Sequence, residues 1–152
     1  MNIAFFLTLK KDVAYLYDDY SIRQALEKMR HHGYSSTPVI DRSGKYIGTV
    51  TEGDFLWYML DESITDTDGV SIYDAEELLL KDLVHKDRAA VRITATMDEL
   101  LELAMRQNFV PVTDDEGKFI GIVTRRNIIK YFVSGSKGIS PKGYNKSTTK
   151  DK

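Results

Sequence analysis

Two short stretches of the chain place a threonine three residues before a small side chain that can form hydrogen bonds. One is Gly-Thr-Val-Thr-Glu-Gly-Asp at 48–54, and the other is Gly-Ile-Val-Thr-Arg-Arg-Asn at 121–127. A threonine and an acidic residue at this spacing can cap the start of a helix through reciprocal hydrogen bonds. The short Asp or Asn could instead bind the hydroxyls of a ribose, beside helix amides that attract phosphate. The sequence leaves both roles open for the same four residues, Thr51, Asp54, Thr124 and Asn127.

The second stretch also carries two adjacent arginines, Arg125 and Arg126, at the start of a predicted helix. Positive charge is unfavourable at a helix N-terminus unless an anion is bound there. A guanidinium group matches phosphate oxygens, which it can bind through two hydrogen bonds. We therefore expect the arginines either to bind phosphate or to form a solvated surface pair. The first stretch has Glu52 and Gly53 at these places, so the second stretch predicts the better phosphate site.

The two stretches belong to an internal duplication. Residues 37–56 align with residues 110–129 at one constant offset, and residues 21–29 resemble residues 96–104 at a slightly larger offset. So many matches at fixed spacing indicate a repeated structural unit. Identical pairs include Pro38 and Pro111, Gly44 and Gly117, Gly48 and Gly121, and Thr51 and Thr124.

Each copy predicts the order strand, helix, strand, turn, strand, helix. Ser21 and Thr96 are typical helix N-caps, and Gly33 stands where the first helix would end. The segments around Gly44 and Gly117 have the composition of tight turns. Hydrophobic spacing predicts β-prone runs at 13–17 and 90–93, strands at 37–40, 46–50, 110–113 and 119–123, further helices at 52–60 and 125–132, and a linking helix at 76–83.

The duplicated pattern resembles a tandem pair of CBS domains, also called a Bateman module, over roughly residues 10–133. The resemblance rests on the motifs at 33–41, 44–54 and 117–127. It implies an α+β fold in which two pseudo-symmetric repeats, each β-α-β-β-α, pack through their sheets and leave two related clefts. The implied domains are repeat 1 at 10–60, a linker with a short helix at 61–89, repeat 2 at 90–133 and a disordered Lys-rich tail at 134–152.

The same resemblance implies an adenine nucleotide as ligand: cyclic di-AMP, AMP or ATP. More loosely, the chain is similar to stand-alone CBS-pair proteins of Gram-positive bacteria that bind cyclic di-AMP, through the motifs at 13–14, 33–35 and 124–126. The residues implied for the first cleft are Val13, Ala14, Tyr34, Ser35, Thr124, Arg125, Arg126 and Asn127. Those implied for the second cleft are Thr51, Asp54, Val91, Asn108 and Phe109. The ring of Tyr34 would either stack on a base or cover the core.

Composition restricts the classes of function. The net charge is −2, although five Lys and one Asp follow Ser134, so the body is acidic and unsuited to general nucleic-acid binding. There is no cysteine, which excludes disulfides and thiolate metal sites and favours a cytoplasmic location. The apolar run at 3–9 is too short to span a membrane and predicts a buried strand or packing arm.

We expect a regulatory module that senses an adenine nucleotide, forms a homodimer and signals to an effector protein. One alternative is a constitutive dimerisation scaffold with unused clefts, and another is a CBS pair that binds S-adenosylmethionine. An enzyme is not expected, because the sequence contains no recognisable nucleophile–base pair, metal triad or phosphate loop. No cofactor and no metal site are predicted.

Overall fold

The computed structural model describes residues 2–60 and 78–134 of the 152-residue chain. Within these ranges the α-helices are α1 (Ile22–His32), α2 (Glu52–Leu60), α3 (Met97–Ala104) and α4 (Arg125–Ser134). The strands are β1 (Thr8–Leu9), β2 (Leu16–Tyr17), β3 (Ser36–Ile40), β4 (Tyr46–Thr51), β5 (Val91–Arg92), β6 (Phe109–Thr113) and β7 (Phe119–Thr124). The predictions for most of the linker, at 61–77, and for the tail after Ser134 lie outside the described residues.

The strands form two sheets, one for each repeat. The sheet of repeat 1 has the order β2-β3-β4, and the sheet of repeat 2 has the order β1-β7-β6-β5. In each repeat the first short strand runs parallel to the next, and a hairpin then adds an antiparallel strand. The register shifts at the same place in both hairpins, after Val39 and after Val112. The predicted α+β class and the duplicated order of elements are therefore confirmed.

The first helix of each repeat begins at the predicted cap. The hydroxyl of Ser21 accepts from the Gln24 amide while the Gln24 side chain accepts from the Ser21 amide, and Thr96 and Glu99 form the same pair. These bonds satisfy donors that a helix start leaves without partners. Helix α1 ends at Gly33, whose φ of 71° is left-handed and favours glycine.

Each repeat has its own hydrophobic core between its sheet and its two helices. Burying an apolar side chain of this size stabilises a fold by about 1.5–3 kcal/mol. The core of repeat 1 comprises Leu16, Ile22, Ala25, Met29, Val39, Val50, Phe55, Leu80 and Leu83. The core of repeat 2 comprises Ile3, Phe6, Val91, Leu100, Ala104, Val110, Val112, Val123 and Ile128.

The segment that precedes each repeat packs on the other repeat. The N-terminal arm, residues 2–9, forms a 3₁₀ turn and then β1, which pairs with β7 of repeat 2. The linker segment, residues 78–88, packs on repeat 1, where His85 lies opposite Thr49 of β4. Each core is thus covered by the segment that precedes the other repeat. We call the N-terminal arm and the linker segment the two covering segments. The arm is the predicted packing arm, because Ile3 and Phe6 of its turn are buried. The predicted buried strand is not observed, because β1 comprises only Thr8 and Leu9, and Leu9 is 49% exposed.

The helix predicted for residues 76–83 is not observed in the described part of that range. The chain forms only a 3₁₀ turn at Leu80–Asp82. The Leu78 carbonyl accepts from the Ile22 amide, and the Leu80 amide donates to the loop before α1. Over residues 78–83 the prediction was wrong because these backbone groups bond to repeat 1 instead of bonding within a helix, and residues 76 and 77 lie outside the described residues.

The repeats meet through their two hairpins, whose contacts are equivalent in the two copies. The Tyr46 amide donates to the Gly117 carbonyl at 3.1 Å, and the Phe119 amide donates to the Gly44 carbonyl at 2.9 Å. The rings of Tyr46 and Phe119 stack with their centroids 6.5 Å apart. This reciprocity places a pseudo-twofold axis between the hairpins. Across the described ranges, no helix is long and apolar enough to cross a membrane.

Candidate functional site

A cavity of about 400 Å³ opens between the two repeats. Repeat 1 provides one wall from the beginning of β3, the end of β4 and the start of α2. Repeat 2 provides the other wall from the loop between α3 and β6. The residues of the first wall are Ser35, Ser36, Thr49, Thr51, Glu52 and Gly53, and those of the second are Arg106, Gln107, Asn108 and Phe109, with Arg88 of the linker segment beside them.

The cavity coincides with most of the second predicted cleft. Thr51, Asn108 and Phe109 line it, as does Ser35, which the resemblance assigns to the first cleft. Val91 lies elsewhere: it belongs to β5, is 6% exposed and packs in the core of repeat 2. Because its side chain faces that core, Val91 cannot line the cavity.

The other first-cleft residues lie ahead of β2, just after α1 and at the start of α4. Val13 and Ala14 are half-buried ahead of β2. Tyr34 is exposed, and its ring stacks on that of His32 with centroids 5.9 Å apart, so it does not cover the core. The Thr124 hydroxyl accepts from the Asn127 amide at 3.1 Å, as a helix cap does. The capping role is thus observed at the start of α4.

Asp54 lies buried at the start of α2, behind the cavity wall, with 7% of its surface exposed. Its Oδ2 accepts from the Thr51 amide at 2.7 Å and from Nη1 of Arg88. Its Oδ1 accepts from Nη2 of Arg88 at 3.0 Å and lies 3.1 Å from Nε2 of His85. A carboxylate offers about four acceptor positions. These four contacts therefore occupy the whole group.

The same contacts keep the carboxyl of Asp54 ionised. Burial raises its pKa, but the hydrogen bonds from Arg88 and Thr51 and the charges of Arg88 and His85 outweigh burial, so the pKa lies below its ordinary value. In return, the hydrogen bond to Asp54 raises the pKa of Arg88. The capping role is observed here too, because the Thr51 hydroxyl accepts from the Asp54 amide at 3.3 Å.

Arg88 joins the linker segment to β4, and no motif in the sequence had singled it out. Its Nη1 also donates to the Thr49 carbonyl at 2.9 Å. Its own carbonyl accepts from the Tyr46 hydroxyl at 2.6 Å, and burial raises the pKa of Tyr46 to about 12, so that hydroxyl remains a donor. The guanidinium of Arg88 is therefore held in place at the edge of the cavity.

The duplication contains the signal that would have identified Arg88. The first strand of each repeat pairs with the next strand in the same register. This makes Val91 the counterpart of Leu16, and Arg88 the counterpart of Val13. The resemblance implies that Val13 is a site residue. Its counterpart Arg88 could therefore have been named as the equivalent site residue of repeat 2.

Arg125 has a role that differs from both of those expected from the sequence. Its Nε donates to the Ala104 carbonyl at 2.5 Å, its Nη2 donates to the Met105 carbonyl at 2.8 Å, and its Nη1 lies 3.4 Å from Oδ1 of Asn108. The last carbonyls of a helix have no partners within the helix, and a cation beside them is favourable. Arg125 therefore caps the end of α3, whereas Arg126 is exposed.

The cavity suits a polar ligand that carries hydrogen-bond acceptors. Hydroxyl groups line the first wall and side-chain amides line the second, and two guanidinium groups, from Arg88 and Arg106, stand against one carboxylate, Glu52. The ring of Phe109 adds a flat apolar surface on which a base could stack. Within residues 2–60 and 78–134, no group of three His, Asp or Glu is placed to hold a metal ion.

A family model for the CBS domain matches the chain twice, at residues 7–61 and at residues 80–134. The chain belongs to the CBS domain family. The first match begins within the N-terminal arm and covers repeat 1, and the second begins within the linker segment and covers repeat 2. The resemblance inferred from the sequence motifs is thereby confirmed, and the protein is a CBS pair.

One curated relative is an inosine-5'-monophosphate dehydrogenase of Methanocaldococcus jannaschii, 30% identical to this CBS pair over 122 residues. The aligned part is 79% of this chain but only 22% of the relative. The CBS pair thus spans about a fifth of the length of that enzyme.

Two solved structures share the fold. The CbpB protein of Listeria monocytogenes in complex with cyclic di-AMP is 24% identical, with a TM-score of 0.73 over 87% of this chain and 95% of that chain. CBSX2 in complex with AMP is 24% identical, with a TM-score of 0.69 over 88% of this chain and 96% of that chain. At these identities the likeness demonstrates the shared CBS-pair fold.

Proposed function

We propose that this CBS pair is a regulatory module that binds an adenine nucleotide in the cavity between its repeats. The observation that carries the proposal is that both repeats wall one cavity with hydroxyl, amide, guanidinium and aromatic groups. A ligand in this cavity would contact both repeats at once. Binding would then favour one arrangement of the repeats over others, which is the basis of a sensor.

The size and chemistry of the cavity support this class of ligand. Its volume of about 400 Å³ lies in the range typical of small-molecule sites. A base would stack on Phe109, and the polar part of the ligand would face the arginines and hydroxyls. Two proteins of the same fold have been solved with such ligands, CbpB with cyclic di-AMP and CBSX2 with AMP.

We propose that the output is a contact with an effector protein, made by a homodimer of this chain. Exposed apolar side chains on α2 and α4 supply the surface for association. The module would thus convert nucleotide occupancy into a change of surface that a partner recognises, without chemical turnover of the nucleotide.

Calorimetry and thermal unfolding test the proposal with AMP, ATP, cyclic di-AMP and S-adenosylmethionine as probes, and GMP as the control. At a hundredfold excess over its dissociation constant, a specific ligand stabilises the fold by about 2.7 kcal/mol. We expect at least one adenine nucleotide to reach this value and GMP to fall short of it. If none of these compounds binds, the protein is a scaffold, and if a nucleotide is consumed, it is an enzyme.

A matched pair of variants then locates the binding. Gly53→Asp places a carboxylate on the cavity wall, where it repels phosphate, and should weaken the bound nucleotide about tenfold. Gly53→Ala is the control, because the added carbon would meet only the Thr51 hydroxyl, at 3.6 Å. Equal affinity in both variants would mean that the nucleotide binds elsewhere.

A further inference from the structure

We infer that Arg88 selects a phosphate-bearing ligand in this cavity, and that Asp54 is a positioning residue that holds Arg88 rather than a contact for the ligand. The inference rests on the proposed function and deepens it, because it names the chemical group that is recognised and its receptor. It also reverses the expectation from the sequence, in which Glu52 and Gly53 made this the poorer phosphate site.

Asp54 has no capacity left for a ligand. The Thr51 amide, two nitrogens of Arg88 and the His85 ring surround its two oxygens. Its side chain is 6% exposed. A sugar hydroxyl could reach this carboxylate only by displacing one of these partners, which would leave a charged donor without its acceptor in a buried place.

Arg88, unlike Asp54, has hydrogen-bonding groups left for a ligand. A guanidinium has five N–H donors, and three of them bond to Thr49 and Asp54. The N–H of Nε and the second N–H of Nη2 have no hydrogen-bond partner among the described residues. These two groups form one edge of the guanidinium. The side chain is 29% exposed and lines the cavity, so this edge is within reach of a ligand.

The chain itself shows what such an edge binds. Arg42 uses the same two nitrogens to hold the carboxylate of Asp19, with Nε to Oδ2 at 2.7 Å and Nη2 to Oδ1 at 2.9 Å. A phosphate presents two oxygens at a similar spacing and binds arginine in the same way. A phosphate in the cavity would therefore take on Arg88 the place that Asp19 takes on Arg42.

The remaining charges also favour an anion. The pair of Asp54 and Arg88 is neutral, and Arg106 adds a positive charge on the opposite wall, where its nearest described carboxylate oxygen, on Glu102, is 3.8 Å away. Glu52 is exposed at the start of α2, so water screens its charge. A phosphate that meets the edge of Arg88 would thus lie in a cavity walled by two guanidinium groups.

The test compares AMP with adenosine, which differ only by the phosphate. Arg88→Gln combined with Asp54→Asn removes both members of the ion pair, so that no unpaired carboxylate is left buried, and Asn is the residue at the equivalent place in repeat 2. We expect AMP to bind at least about tenfold more weakly to this double variant, the loss of a charged hydrogen bond. The affinity for adenosine should change by less than about twofold, because adenosine has no group that binds the Arg88 edge.

Two further variants make the outcome decisive. Asp54→Asn alone should leave the affinity for adenosine within about twofold, because the ligand does not touch this carboxylate. Arg42→Gln removes an arginine with a similar carboxylate pairing outside the cavity and should change neither affinity. Thermal unfolding of each variant verifies that it is folded at the temperature of the titration.

Several outcomes would overturn the inference while leaving the proposed function intact. One is an equal loss of affinity for AMP and for adenosine in the double variant. The others are an unchanged affinity for AMP in the double variant, and a loss of affinity for AMP in Arg42→Gln as large as that in the double variant. A marked loss of adenosine binding in Asp54→Asn alone would return the carboxylate to a direct role with the sugar. If the wild-type protein binds no nucleotide in the first screen, the proposed function fails, and this inference fails with it.

Discussion

The carboxylate of Asp54 connects three parts of the fold at one point. It caps α2 through the Thr51 amide, and Arg88 and His85 bring the linker segment onto it. Such a buried pair can cost as much in desolvation as it returns in attraction, but removing one partner alone commonly destabilises a protein by about 3–5 kcal/mol. The pair therefore acts as a fixed anchor for the linker segment.

We predict that Asp54→Asn reduces the loss of unfolding free energy that occurs as the pH falls. The pKa of Asp54 in the folded protein lies below its ordinary value of 3.8. The ionised group thus stabilises the fold above that ordinary value, and its contribution is lost as the pH falls through the folded pKa. Urea unfolding from about pH 6 down to about pH 2 should show a smaller decline for the variant than for the wild type. Parallel declines would mean that Asp54 is not held ionised by its partners.

The two neighbouring arginines of α4 provide the next prediction. Arg125→Ala should lower the free energy of unfolding by about 1.5–3 kcal/mol, because it leaves the last carbonyls of α3 without their donors. Arg126→Ala should cost less than Arg125→Ala, because Arg126 lies at an exposed position. Urea unfolding of the two variants measures the difference. Similar small losses in both would show that Arg125 does not cap α3 in solution.

Among the elements of the fold, the last strand of each repeat, β4 or β7, lies at close range to a covering segment. A side-chain carbon added at Gly48 would lie 2.6 Å from the His85 carbonyl oxygen, and one added at Gly121 would lie closer still to the Thr8 carbonyl oxygen. Real side-chain carbons do not approach backbone oxygens so closely. The first residue of each repeated stretch is therefore glycine because another segment passes over it.

We predict that Gly48→Ala and Gly121→Ala each destabilise the protein by at least about 1–3 kcal/mol, the usual cost of overpacking. Each substitution should also release its covering segment, so amide hydrogen exchange should rise at 84–88 for the first variant and at 7–9 for the second. Gly53→Ala is the control: its added carbon would make only an ordinary contact with the Thr51 hydroxyl, at 3.6 Å, so the variant should neither lose stability through overpacking nor raise exchange in either covering segment. Unchanged exchange in the covering segments would contradict the packing.

Elements whose determinants are local were predictable from the sequence, and those set by distant partners were not. The cap at Ser21 depends on a residue three places away, and the turn at Gly44 depends on its own φ of 92°. By contrast, the pairing of Arg88 with Asp54 requires the linker segment to return across β4. The bonds from Arg125 to α3 likewise exist only because two helices dock side by side. The sequence indicated where the cleft lies, but tertiary packing decided which of its charges were already engaged.

At the scale of the whole molecule, equivalent faces of α2 and α4 expose large apolar side chains. Trp57 is 72% exposed and Val133 is 80% exposed. The other members of this apolar face are Leu56, Leu60, Ile129 and Phe132. Apolar surface gathered in this way is typical of a protein–protein contact. The feature supports the homodimer that the sequence analysis expects.

We predict that light scattering at micromolar concentration reports twice the mass of one chain. Trp57→Glu should shift the protein toward a single chain, because it buries a charge in the expected contact. Met105→Glu is the matched control: Met105 is also exposed, at 80%, but lies at the end of α3 and outside the apolar face. A wild-type protein that has the mass of one chain would rule out the homodimer. An equal effect of both variants on the measured mass would rule out this face as the dimer interface.

The exchange of covering segments has a consequence for synthesis on the ribosome. On the ribosome β1 emerges long before its partner β7, which is the last strand of the described residues to be made. The core of repeat 1 also lacks Leu80 and Leu83 until the linker segment emerges. Chain growth proceeds at about 5–20 residues per second, so the N-terminal arm waits for several seconds with its apolar side chains unprotected. A nascent chain stalled within repeat 2 should therefore recruit chaperones through its N-terminal arm.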